Sequence, residues 1–206
     1  ENRTVTATVE FSGFMREFVA ARRREPREDF LSQFVTATDS AGQGLADDEI
    51  VTMAILLLNA GHEATVHSLG NGVRAILEEV PDPAAAVALN PAGHVEEMLR
   101  YDAPLHMFTR YALDDVEVAG ERFRKGDLIG LLLGSANRDP AKFVEPDAFD
   151  AGRSPNPHVS FGAGIHACVG APLARLEMQA ALRVLFERLP GIRIAEPPRV
   201  KDAWHF

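Results

Sequence analysis

The stretch Phe161-Gly162-Ala163-Gly164-Ile165-His166-Ala167-Cys168-Val169-Gly170-Ala171-Pro172-Leu173-Ala174-Arg175 holds the only cysteine of the chain. Glycine at 162, 164 and 170 permits backbone angles and close approaches that a Cβ blocks. From Leu173 onward apolar residues recur at helical spacing (Leu173, Leu176, Ala180, Val184), and the predicted helix, which begins after Gly170 and runs to Leu189, ends at Pro190-Gly191. The cysteine therefore falls on a tight loop beside a helix N-terminus, whose partial positive charge favours a thiolate. A flat ligand can lie against such bare backbone with sulfur reaching its centre.

A cysteine in no particular context is a small buried hydrophobe, and this context argues otherwise. Zinc is set aside, because one sulfur with His158 and His166 lacks the paired ligand spacing of four-coordinate sites. A nucleophilic cysteine, which needs only a separately encoded histidine, stays open at this point.

Upstream, residues 47–80 contain no proline and predict one long helix. Its apolar run Met53-Ala54-Ile55-Leu56-Leu57-Leu58 is too short to cross a membrane and predicts a helix central to a large core. The pattern breaks at Asn59-Ala60-Gly61-His62-Glu63-Ala64-Thr65, where polar groups and a glycine interrupt an apolar stretch, as functional sites do. Glu97-Met98-Leu99-Arg100 places opposite charges at i and i+3, on one helical face. Residues 109–127, with Val116-Glu117-Val118-Ala119-Gly120 and Lys125-Gly126-Asp127, alternate and turn like a hairpin or meander. Pro81-Asp82-Pro83-Ala84-Ala85-Ala86 reads as a loop between helices, and Asp139-Pro140 as a turn or helix start.

In this order and at these distances the motifs resemble the cytochrome P450 superfamily, the haem-thiolate monooxygenases. Phe161, Gly162, Gly164, His166, Cys168 and Gly170 match the haem-ligand loop Phe-x-x-Gly-x-His-x-Cys-x-Gly. The resemblance implies that Cys168 is the axial iron ligand, pushing electron density toward the metal, with His166 facing a haem propionate. Arg110 matches the second propionate partner. Glu97 and Arg100 match the Glu-x-x-Arg helix and join Arg153 in a structural triad holding the cysteine loop. Ala60 and Gly61 match the oxygen-binding groove of the central helix. Glu63 matches the acidic residue that helps deliver protons. The position usually held by threonine is Ala64, with Thr65 one residue later, a rotation of about 100° on a helix. Leu105, His106, Met107 and Phe108 fall where the chain passes the haem face and touches substrate. The implied fold is mainly α with small β elements. It is a partial cytochrome P450 fold over residues 1–206, the C-terminal haem-binding portion, with the N-terminal helices and last C-terminal strands absent.

The implied activity is insertion of one oxygen atom from O2 into a small apolar organic substrate at haem b, with electrons from a ferredoxin and its reductase. Two other readings stay open: a truncated fragment that binds no haem and is inert, and a haem protein used for binding or sensing. Arg175 is either an electron-donor contact or half of a structural salt bridge. With 46% hydrophobic and 25% charged residues and one cysteine, the composition suits a cytoplasmic protein without disulfides. The net charge of −9 argues against nucleic acid as a partner. No leader or transmembrane run is visible, so no membrane association is expected. Arg22-Arg23-Arg24 reads as a solvated helix face. Half of a family fold leaves an apolar face uncovered, and self-association is the expected result.

Overall fold

The computed structural model describes residues 2–196. It divides into two compact units, Glu1–His62 and Glu63–Phe206. Seven α-helices and two small antiparallel sheets make up the described residues, a mainly α fold with small β elements. The helices are α1 (Asn2–Arg24), α2 (Phe30–Thr36), α3 (Asp47–Glu79), α4 (Pro83–Leu89), α5 (Pro91–Tyr101), α6 (Leu133–Ala136) and α7 (Ala171–Arg188).

In the first unit, Met15 and Val19 of α1 pack with Leu31 of α2 and with Ile50 and Val51 at the start of α3. Of the arginine run closing α1, Arg23 and Arg24 are exposed, as its charge suggests, and Arg22 is half-buried. Arg22 pairs with Asp29 and stacks over Phe18, 4.5 Å from the ring centroid. Arg23 pairs with Asp47 and donates to the carbonyls of Val35 and Leu45 at 3.2 and 2.7 Å. Arg23 thereby satisfies carbonyls at the end of α2 and ahead of α3, while Arg22 holds the Asp29 cap at the start of α2. Asp47, Asp48 and Glu49 complement the positive end of α3, and Glu49 Oε2 accepts the Ala46 N–H at 2.8 Å, half of a capping box.

α3 spans nearly the predicted range without a break. Leu56, Leu57 and Leu58, expected in a large core, are all exposed. No described element of the first unit covers that side of the helix.

The second unit is organised around α5. Residues Ile76, Val87, Val95, Met98, Leu99, Met178, Leu182 and Phe186 form its core, drawn from α3, α4, α5 and α7. Gly72 of α3 allows the close approach of α5, since a Cβ there would meet the Met98 side chain. The segment read as a loop at residues 81–86 contains the start of α4. Asp82 caps it by accepting the Ala85 N–H, and Pro83 occupies its first turn, where a missing N–H costs nothing. Asn90 and Pro91 repeat the device at α5. Strand β1 (Met107–Tyr111) pairs with β4 (Leu128–Leu132), with Met107 opposite Leu132 and Tyr111 opposite Leu128. Between them, β2 (Val116–Val118) and β3 (Glu121–Phe123) form a hairpin. Its two-residue turn holds Ala119 and Gly120 at φ 53° and 85°, as a type I′ connection requires. The residues after 196, including Lys201 to Phe206, lie outside the described residues.

Candidate functional site

Cys168 sits exposed between a 3₁₀ turn, Gly164–His166, and the first turn of α7. Its N–H donates to the Phe161 carbonyl at 2.8 Å, and the Gly162 N–H donates to Val159 at 2.8 Å, closing the loop on itself. Gly162 and Gly164 adopt φ of 67° and 66°, left-handed angles at which any side chain is strained. Gly170 differs from them. Its φ is −83°, and a Cβ there would sit 3.9 Å from the Cys168 sulfur, ordinary contact, so the chain's own backbone does not demand glycine at 170. Ile165 and Val169, on either side of Cys168 in the chain, are 96% and 86% exposed.

The segment that leads into this loop is held from α5. Glu97 and Arg100 are both fully buried and form a bidentate pair, Nε–Oε2 at 2.9 Å and Nη2–Oε1 at 2.7 Å. Arg100 spends its remaining donors on the carbonyls of Asn137, Pro146 and Ala148. Glu97 also accepts from the Asp150 N–H at 2.8 Å, Arg153 Nε at 3.2 Å and Asn156 Nδ2 at 3.1 Å. Arg153 itself reaches the carbonyls of Val144, Glu145 and Ala148. The structure thus brings Glu97, Arg100 and Arg153 together. A buried ion pair is tolerated only when its leftover donors and acceptors are satisfied, and these three knit residues 137–156 to α5. Asn137, fully buried, continues the fabric by donating to Ser160 Oγ at 2.7 Å and accepting the Val159 N–H at 2.8 Å.

A second cluster, which the sequence reading did not assemble, joins α5 to the residues on both sides of the cysteine loop. Glu96 accepts from Arg175 Nε and Nη2 at 2.6 and 3.0 Å and contacts His158 Nε2 at 3.0 Å. His158, and then Arg175, hold the Glu96 carboxyl down to about 2, against the opposing effect of burial. The same bond to Glu96 raises Arg175. Of the two readings of Arg175, the structure shows the salt bridge. The signal available in the sequence was the pair of adjacent acids at 96 and 97.

The remaining predicted residues are exposed or half-buried. His166 is exposed on the 3₁₀ turn. Arg110, exposed on β1, donates to the carbonyl of Thr109, and no carboxylate among the described residues pairs with it. Leu105 and Met107 are half-buried, while His106 and Phe108 are exposed, and His106 lies 3.8 Å from Asp102. Ala60, Gly61 and Glu63 are exposed, and Ala64 and Thr65 half-buried, within unbroken helix.

The donor set fits haem. No group of three or more histidine, cysteine or acidic side chains among the described residues can hold a metal ion. A solitary exposed sulfur suits an iron that brings its other ligands in a flat macrocycle, and the absence of Cβ atoms at 162 and 164 suits the approach of that macrocycle.

Comparison with known proteins agrees. The family model "Cytochrome P450" matches residues 93–190. The biotin biosynthesis cytochrome P450 of Bacillus subtilis is 40% identical over 191 residues, covering 91% of this chain and 48% of the relative. The cytochrome P450 monooxygenase PikC of Streptomyces venezuelae is 40% identical over 197 residues, covering 94% and 47%. The crystal structure of P450BioI with an acyl carrier protein carrying hexadec-9Z-enoic acid superposes with a TM-score of 0.88 at 39% identity, over 96% of this chain and 51% of that one. The chain belongs to the cytochrome P450 family. It spans about half the length of the curated relatives it matches, and its fold is correspondingly part of the family fold.

Proposed function

We propose that residues 1–206 are the C-terminal haem-binding portion of a bacterial-type haem-thiolate monooxygenase. The observation that carries this reading is the solitary exposed thiol of Cys168, on a loop turned by two left-handed glycines and preceded by a segment that the buried Glu97–Arg100–Arg153 triad fixes to α5. Haem b, held through Cys168, supplies reductive activation of dioxygen for insertion of one oxygen atom into a small apolar organic substrate.

The chain's own residues then have distinct tasks. Cys168 provides the sulfur ligand. His166 and Arg110, both exposed and without a carboxylate partner among the described residues, bind the propionates by charge-assisted hydrogen bonds. Phe161, Gly162, Gly164 and Gly170 would form the surface against the macrocycle, and Ala60, Gly61 and Ala64 keep the oxygen-groove role that the family resemblance gives them. Leu105, His106, Met107 and Phe108 line the substrate pocket and exclude water. Glu63 moves protons at its carboxylate oxygens, and Thr65 Oγ1 takes the part that Ala64 cannot, since alanine has no hydroxyl. Electrons come from a ferredoxin and its reductase, in the cytoplasm. No described helix is long and apolar enough to cross a membrane.

The test is the visible spectrum of the purified chain after reduction and exposure to carbon monoxide. A Soret band at the red-shifted position of a thiolate-ligated ferrous carbonyl, lost in Cys168→Ser with helicity unchanged, supports the reading. An unchanged spectrum in that variant overturns the ligand assignment. No Soret band at all favours the inert fragment. In the full-length protein, Glu63→Gln and Thr65→Ala are expected to uncouple electron consumption from product; if neither does, the proton-delivery assignment is wrong.

A further inference from the structure

α5 presents two consecutive carboxylates that grip different stretches of chain. Glu97 holds residues 150–156, whereas Glu96 holds His158 and the first turn of α7. His158 Nδ1 accepts the Ser160 N–H at 3.3 Å, so its proton resides on Nε2 and points at Glu96. Between these groups sits Phe161. The Arg175 guanidinium lies 4.6 Å from the centroid of its ring, and the His158 ring is 6.1 Å away. The main-chain carbonyl of the same phenylalanine accepts the Cys168 N–H.

We propose that Arg175, fixed by Glu96 and backed by His158, is a positioning residue for Cys168, clamping the Phe161 ring and so the backbone that presents the sulfur. Calling the sulfur a haem ligand rests on the function proposed above; the clamp itself is a property of the chain without any ligand. Only arginine suits the position. A planar guanidinium engages both carboxylate oxygens along its edge while its face covers an aromatic ring. Lysine can make one contact or the other. Glu96 stays ionised throughout the neutral range, so the clamp is closed there.

Amide hydrogen exchange of the unloaded 206-residue chain tests this, with the Leu182 and Phe186 amides of α7 as internal references. Arg175→Gln and Glu96→Gln are each expected to speed exchange at Cys168 by about tenfold while the references stay within about twofold. Their combination is expected to add little, because the pair acts as a unit. Arg175→Lys recovers only part of the protection. Phe161→Leu, which leaves the ion pair intact, gives the same loss at Cys168. Unchanged exchange at Cys168, or a rise matched at Leu182 and Phe186, overturns the clamp and leaves Arg175 a general stabiliser. The carbon monoxide spectrum of the same variants is read separately. A chain that takes up no haem in any variant counts against the proposed function, and exchange still decides the clamp.

Discussion

Replacing Glu97 by glutamine separates a structural keystone from an ordinary ion pair. The side chain keeps its volume and loses its charge. Arg100, wholly buried, then has no counter-charge on α5, and one carboxylate oxygen that accepted protons becomes an amide that donates them. Breaking a buried pair from one side costs about 3–5 kcal/mol. The Asp150 N–H, Arg153 and Asn156 also meet a poorer acceptor, so the upper part of that range is expected. The double variant Glu97→Leu, Arg100→Met decides the mechanism. If the pair were merely two charges cancelling, an apolar replacement would be near neutral. Here Arg100 also satisfies three carbonyls, of Asn137, Pro146 and Ala148; Ala148 keeps Arg153 as a donor, but Asn137 and Pro146 lose theirs, at about 1 kcal/mol or more each when buried. The double variant is therefore expected to recover little. Urea unfolding followed by the helical circular dichroism signal measures both. A loss below about 1 kcal/mol in Glu97→Gln, or a double variant as stable as the parent chain, refutes the reasoning.

Lowering the pH tests the Glu96 cluster. Its carboxyl is depressed from 4.5 to about 2, so its contribution is complete above 4.5 and disappears as the pH falls from there toward 2. With part of the pair facing water, the contribution is about 1 kcal/mol, and unfolding midpoints of the parent and Glu96→Gln chains should converge over that interval. Gly93→Ala, on α5, drives a Cβ into the carbonyl of Ala151 and the Asn90 cap. It is expected to cost about 1–3 kcal/mol in urea unfolding, and a neutral result would mean that residues 150–153 can move away from α5. The exposed Val5, Val9 and Phe14 on α1, with Leu56 and Leu58 on α3, predict concentration-dependent self-association. A single monomeric species at every concentration in sedimentation velocity would contradict it.

Local rules read this chain well where the determinant is local. The positive φ of Gly162 and Gly164, the span of α3 and the end of α7 all follow from residue type and spacing within a few positions. The Glu97–Arg100 contact follows for the same reason, being i to i+3. α4 escaped because Pro-Asp-Pro-Ala carries a turn signal and a helix-start signal at once, and Asp82 resolves it in favour of the cap. The Arg175–Glu96 pair spans 79 residues, and no periodicity could join them. Arg23 likewise finds its acceptors at Val35 and Leu45 only after α2 has folded back. The exposed leucines at 56–58 mark the opposite failure, in which an apolar run predicted burial that no described element provides. Gly170 shows a third case, a glycine whose backbone angle any residue could adopt.

The adjacency of Glu96 and Glu97 has a consequence for how this segment tolerates change. Neighbouring helical positions differ by about 100° in direction, so two carboxylates in succession fix not only where α5 lies but how far it is rotated about its own axis. Inserting or removing one residue between Asn90 and Glu96 would swing both acids away from their partners together, leaving the lead-in to the cysteine and the helix that follows it without their common anchor. The interior of this one helix is a ratchet with a single tooth engaged.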